Sequence, residues 1–449
     1  MTPEITTWAL IACEALMLVV QLRIARHVKG PLSVILTGQA VFWGLAYVAR
    51  PAYLVIARPT TADELADSRM MGVGYAEALM HVLALVCAGQ LVFTVAVVLA
   101  LTLLPKHRVN FTPVTEGEPR ALVYAAFTFW CVGWLFRLPL AEDFEAVSSI
   151  ARSFAPIGGG MLILLVRDRR NSALPLVLVP VLLGEVVTAL GEGSKTALIV
   201  PALALVLRWN RRGVPHLRRR LLLLGSLVLI GFLIIQPLKG IDTAERVEAV
   251  NPGPLGKIQA QSVALIERFD GVSAVQDALA HGPNNWLSAP ALLSRSVSYV
   301  VPGMSEDVAL GQRWTREVRT SSIPHQYQDV SLAAGSTAEG YALGGWPGVF
   351  VENGLMGIAT VLLGIGLASR RPYSLLIACV FVFSTTLFEL GALGMLQRVN
   401  RIILLSAVLL LILPFTRSFD RFFREKASVR ASDAGDTADQ ESTRERISG

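Results

Sequence analysis

Gly191-Glu192-Gly193-Ser194-Lys195-Thr196 brings backbone N–H groups, two hydroxyls and an ammonium together at the start of an apolar run. Backbone donors at a helix N-terminus beside a lysine are an anion site in kind, although an ordinary capped turn uses the same residues. It is not a nucleotide-binding P-loop, because Ser stands before Lys195 and no strand precedes it. Farther on, helical periodicity predicts a helix over Lys257–His281, with Leu265, Phe269, Val272, Val275 and Leu279 on one stripe. Arg268 falls inside that stripe, while Glu267, Asp270 and Asp277 are expected to face away. A guanidinium on an apolar face needs an anion or a carboxylate. Arg268 is therefore either a structural ion pair with a snorkelling stem or a phosphate ligand, since its fork matches phosphate oxygens. Proton-transfer chemistry has its candidates in His281, His325, Asp270, Asp329, Glu339 and Glu352. Glu142, Asp143 and Glu145 read as a cation site or as a solvated acidic loop. No Ser-His-Asp order or HExxH motif appears, and nothing calls for a metal or a cofactor. Cys13, Cys87, Cys131 and Cys379 all lie in apolar runs, so no disulfide framework is expected.

The elements that must hold these groups are membrane spans. The 449 residues are 53% hydrophobic and only 16% charged, with mean hydropathy +0.54, whereas about a quarter of a soluble globule is charged. Apolar runs long enough for about 20 residues of helix recur along the chain. We read eleven: Thr6–Leu22, Leu32–Ile56, Gly74–Leu103, Ala121–Phe136, Ile150–Val166, Ala173–Leu190, Ser194–Leu207, Leu221–Leu238, Trp346–Ala368, Tyr373–Gly394 and Ile402–Phe415. The expected fold is an all-α polytopic membrane protein with one large, partly helical extracytoplasmic loop. Residues 1–238 hold spans one to eight, 239–345 the loop, 346–416 the last three spans, and 417–449 a basic and then disordered tail. A polar insertion of this size must stand in water, because unpaired amides in hydrocarbon each cost several kcal/mol. The first apolar run lacks the flanks of a cleaved signal and is expected to be retained.

Charge orients the chain. Odd-numbered connections carry Arg23, Arg26 and Lys29, then Lys106, Arg108 and Arg120, then Arg167, Arg169 and Arg170, then the Arg208–Arg220 cluster, then Arg370 and Arg371. The short even-numbered ones carry far fewer, so odd connections are expected to be cytoplasmic. This puts the N-terminus and the loop outside and the C-terminus inside. The net charge of +6 is thus a topology signal and gives no reason to expect nucleic acid.

Four stretches resemble the O-antigen polymerase superfamily, the Wzy-type oligosaccharide-repeat polymerases with the O-antigen ligases as relatives. They are Gly193-Ser194-Lys195-Thr196; Glu267-Arg268-Phe269-Asp270-Gly271; Leu293-Ser294-Arg295 leading to Tyr299-Val300-Val301-Pro302-Gly303; and Ser336-Thr337-Ala338-Glu339-Gly340-Tyr341, running into Gly344-Gly345-Trp346 and Asn353-Gly354-Leu355-Met356-Gly357. Together they cover residues from about 190 to 360, in an order that is similar to the family's.

The resemblance implies a bacterial inner-membrane enzyme that extends a polyprenyl-pyrophosphate-linked oligosaccharide outside the membrane, with a chain-length regulator as a possible partner. Cations would stabilise the departing pyrophosphate, and a base would deprotonate the acceptor hydroxyl. On this reading Lys195, Arg268 and Arg295, backed by Lys239 and Arg319, grip the pyrophosphate, and Glu339, then His325, supplies the base. The competing class is a transporter or flippase, for which Glu14, Glu77 and Glu185 inside apolar runs are the relevant signal. A dolichol-type transferase fits less well, since its acidic pair follows span one, where this chain is basic and expected to be cytoplasmic.

Overall fold

A computed structural model describes residues 2–58, 70–104, 120–137, 151–166, 173–191, 199–214, 219–221, 223–227, 271–283, 286, 314, 318, 335–383, 391–396, 398–399, 401–411 and 414. Among these the regular structure is entirely helical. In chain order the helices are α1 (Pro3–His27), α2 (Pro31–Gly44), a π segment (Leu45–Ala49), α3 (Arg50–Ala57), α4 (Tyr75–Leu103), α5 (Arg120–Leu135) and α6 (Phe154–Leu165). They continue with α7 (Ala173–Gly191), α8 (Ile199–Arg211), α9 (Gly271–His281), α10 (Gly335–Ala368), α11 (Pro372–Phe383) and α12 (Ala392–Leu396). By length and composition five described stretches can cross a membrane: Pro3–His27, Pro31–Ala57, Tyr75–Leu103, Gly335–Ala368 and Ala392–Leu411.

Local chemistry sets several boundaries. Proline opens α1, α2 and α3, where its missing N–H costs nothing. The π segment precedes Pro51, whose ring cannot accept the usual packing against the carbonyl four residues back. The wider turn relieves this, and the Arg50 N–H bonds to Leu45 O, five residues back. The short link between α1 and α2 is tied by Ser33 Oγ donating to Ala25 O at 2.6 Å.

The described helices pack around two apolar clusters. The first gathers α1, α2, α3, α4, α9 and α10, and includes Trp286 and Trp314, stacked edge to face with ring centres 5.1 Å apart. The second surrounds α6, every residue of which is buried, and draws on α5, α8 and α11. A helix apolar on all sides belongs in the middle of a bundle. Helix α10 joins the two clusters. Its Gly364 lies against Leu32 of α2, and its Gly366 against Ala378 of α11.

Arg208 and Arg211 of α8 and the following Arg212, expected in a basic cytoplasmic connection, reach in to neighbouring helices. Arg208 Nη1 donates to Ile163 O at 2.6 Å, Arg212 Nη2 to Val166 O at 2.7 Å, and Arg211 Nη2 to Ser369 O at 3.2 Å. These carbonyls end α6 and follow α10, where the helix dipole is negative and carbonyls lack helical donors. The three guanidiniums thus clamp the ends of neighbouring helices.

Candidate functional site

Residues 335–343, expected to end the polar loop, do not stay apart from the apolar run that follows. Helix α10 turns back on itself at Gly344 and Gly345, where Gly345 takes φ 62°, a left-handed conformation that favours glycine. Trp346 and Pro347 then open the second limb. A straight helix of 34 residues would run about 51 Å, well beyond the hydrocarbon core. Folding leaves 346–368 as a limb short enough to fit a membrane core, with 335–343 antiparallel beside it.

Small residues let the limbs meet. A Cβ at Gly340 would stand 2.7 Å from Gly348 O, and one at Gly348 would fall on Gly340 O. Polar contacts then fix the register. Ser336 Oγ donates to Asn353 Oδ1 at 2.8 Å, and Asn353 Nδ2 donates to Val349 O at 2.9 Å and Thr337 Oγ1 at 3.4 Å. Helix α4 closes over this knot through Gly89, where a Cβ would be 2.8 Å from Asn353 Nδ2.

One turn along the same face, the hairpin brings Glu339 and Glu352 together. They are 2% and 4% exposed, and both carboxyls crowd the same point beside Gly391. Each carboxyl also takes a backbone N–H from the start of α12: Leu393 N donates to Glu339 Oε1 at 2.6 Å, and Ala392 N to Glu352 Oε1 at 2.9 Å. Gly391 makes the approach possible, since a Cβ there would lie 2.6 Å from Glu339 Cδ and collide with Glu352 Oε1. Beyond α12, Arg398 carries a buried Nε with no hydrogen-bond partner among the described residues.

Such a pair has a defined chemistry. A carboxylate held beside a second carboxyl can accept a proton from a hydroxyl and share it with its neighbour. The two backbone donors orient both carboxyls, as a positioned base requires. Compared with known proteins, the chain matches no family, no curated sequence and no solved structure. The site therefore rests on its own geometry.

Of the site residues expected from sequence, Glu339 lies within this pair. Lys195, Lys239, Arg268, Arg295, Arg319 and His325 lie outside the described residues. Sequence reasoning named Glu352 only as one acid among several, and the signal it lacked was the hairpin. Asn353, Ser336 and Thr337 were noted for their motif and not for the bonds that join them. Helix α9 confirms Val272 and Val275 as buried residues of the predicted helix. Asp277, expected to face away from the apolar side, is instead fully buried along with Ser273, because α9 is covered by α10 as well as by α4 and the π segment. Arg50, directly after the π segment, is a large side chain buried to 2% exposure that sequence reasoning passed over.

Proposed function

We propose that this protein is a membrane glycosyltransferase that polymerises polyprenyl-pyrophosphate-linked oligosaccharide units at the extracytoplasmic face. The observation that supports this reading best is the Glu339–Glu352 pair, buried at the folded hairpin and oriented by two backbone N–H groups. In the proposed reaction the acceptor sugar hydroxyl attacks the anomeric carbon of the donor chain, and its proton passes to the ionised carboxylate of the pair. The anomeric C–O bond breaks, and the polyprenyl pyrophosphate leaves with the bonding electrons. Lys195, Arg268 and Arg295 are the cations proposed to receive that charge, with Lys239 and Arg319 behind them and His325 as the second candidate base. The charge pattern of the connections assigns the hairpin's turn to the outer side.

Purified protein given a polyprenyl-pyrophosphate oligosaccharide should produce lengthened lipid-linked chains. Glu339→Gln should lower that rate by a factor of about 10²–10⁴, the usual share of a general base, while melting temperature changes little. Full activity in a folded Glu339→Gln variant would reject the assignment.

A transporter or flippase is the second reading, and one specific observation favours it: Glu14 is buried within α1, a stretch long and apolar enough to span. Ionisable groups inside a membrane commonly mark a substrate or ion path. Translocation of the lipid-linked unit without any new glycosidic bond would favour this reading over the first.

A further inference from the structure

The stretch Ala392–Leu411 is long and apolar enough to cross a membrane, and Arg398 and Arg401 are its only charged residues. Arg398 N donates to Met395 O at 3.0 Å and Ile402 N to Arg398 O at 3.1 Å, so both arginines sit on one helical turn. Three positions apart, they share a face, with Cβ atoms about 5–6 Å from each other. Leu405 and Leu409 continue that face at steps of four from Arg401, and both are fully buried in the second apolar cluster. Ile403 and Leu410, on the opposite side, are exposed. Both arginines are thus rooted on the side turned to the bundle, and both are half-buried.

Arginines that serve the fold spend their donors on the backbone here. Arg208, Arg211 and Arg212 each bond a carbonyl at or just beyond a helix end. Among the described residues neither Arg398 nor Arg401 has such a bond or an ion pair, and the Nε of Arg398 is buried without a partner there. The carboxyls of Glu339 and Glu352 do not fill the gap. They are held by the N–H groups of Ala392 and Leu393, roughly 9 Å back along the axis from Arg398 at helical rise.

Like charges one turn apart repel, and apolar surroundings raise the cost of each guanidinium. An anion with several oxygens relieves both at once. A guanidinium fork matches phosphate oxygens two at a time, and a second fork one turn away suits a group with two negative charges. We propose that Arg398 and Arg401 form a binding site for a phosphate or diphosphate group on this inward face. A lipid headgroup and a free phosphate present the same chemistry. The two arginines are not among the cations named for the glycosyl transfer, and the inference does not depend on that reaction.

The full-length protein in detergent tests it. Equilibrium binding is measured with radiolabelled pyrophosphate and, separately, with radiolabelled farnesyl pyrophosphate, with sodium chloride keeping ionic strength constant. Saturable binding of at least one probe is expected. It should weaken about tenfold or more in Arg398→Gln and in Arg401→Gln, as for loss of a charged hydrogen bond. Equal affinity for the two probes would assign the site to a free phosphate, and binding of farnesyl pyrophosphate alone to a lipid headgroup. On the unaltered protein the bound probe should shield both arginines from phenylglyoxal, read by mass spectrometry, and this decides if the variants do not fold. No binding of either probe, affinity unchanged in the folded variants, or equal phenylglyoxal modification with and without probe would overturn the site.

Discussion

Helices α1, α4 and α10 and helices α6, α8 and α11 both bury polar atoms among apolar neighbours, and they do so in opposite ways. Around α6 the buried guanidiniums of Arg208 and Arg211, with Arg212 beside them, reach helix ends and bond carbonyls that have no helical donor. These side chains complete the backbone. Around α10 the polar groups come from the middle of helices whose backbones are already satisfied: Glu339, Glu352 and Asn353, with Gln90 on the adjoining α4. There the backbone serves the side chains, as when Ala392 and Leu393 donate to the two carboxyls. A buried polar atom that completes a helix end belongs to the fold. One that is brought in from mid-helix and held by glycine-close packing belongs to a site.

Substitutions can break or sharpen that contrast. The largest effect is expected from Gly391→Ala, whose methyl would collide with both carboxyls. Glycosyl transfer should fall by about two orders of magnitude, as for loss of a positioned base, measured as lipid-linked product per folded molecule. Next, Arg208→Met should cost about 2–3 kcal/mol in stability through loss of a charged hydrogen bond. Activity per folded molecule should stay unchanged, and a loss of activity without a loss of stability would break the contrast. Asn353→Leu strips the hairpin of its central amide and should cost about 1–2 kcal/mol, the penalty for leaving buried partners unsatisfied. It should also lower activity through the displaced Glu339, which separates it from Arg208→Met. The smallest effect is expected for Gln21→Leu, which removes the bond from Gln21 Nε2 to Thr94 Oγ1 and should cost about 0.6 kcal/mol, the average for a hydrogen bond between membrane helices. Reversible unfolding in mixed detergent measures the three stability changes.

Much of the helix pattern was legible in the sequence. The run Gly74–Leu103 becomes α4 almost to the residue, and Leu32–Ile56 becomes α2, the π segment and α3. Hydropathy measures how long a segment stays apolar, and that is what fixed these boundaries. It does not register a reversal of direction, so the fold at Gly344 and Gly345 was invisible. Ser336-Thr337-Ala338-Glu339 therefore read as the end of the loop. Asp277 was misplaced for a related reason: one helical stripe supposes one covering surface, whereas α9 meets several.

The hairpin of α10 also dictates an order of assembly. Residues 335–343 leave the ribosome before the limb they pack against, and before the glycine that seals the two acids together. The carboxyl carried by the early limb can reach its final neighbours only after residue 393 has been synthesised. The acidic centre is thus completed only once the start of α12 has emerged, and a nascent chain halted before that point carries both glutamates without their seal.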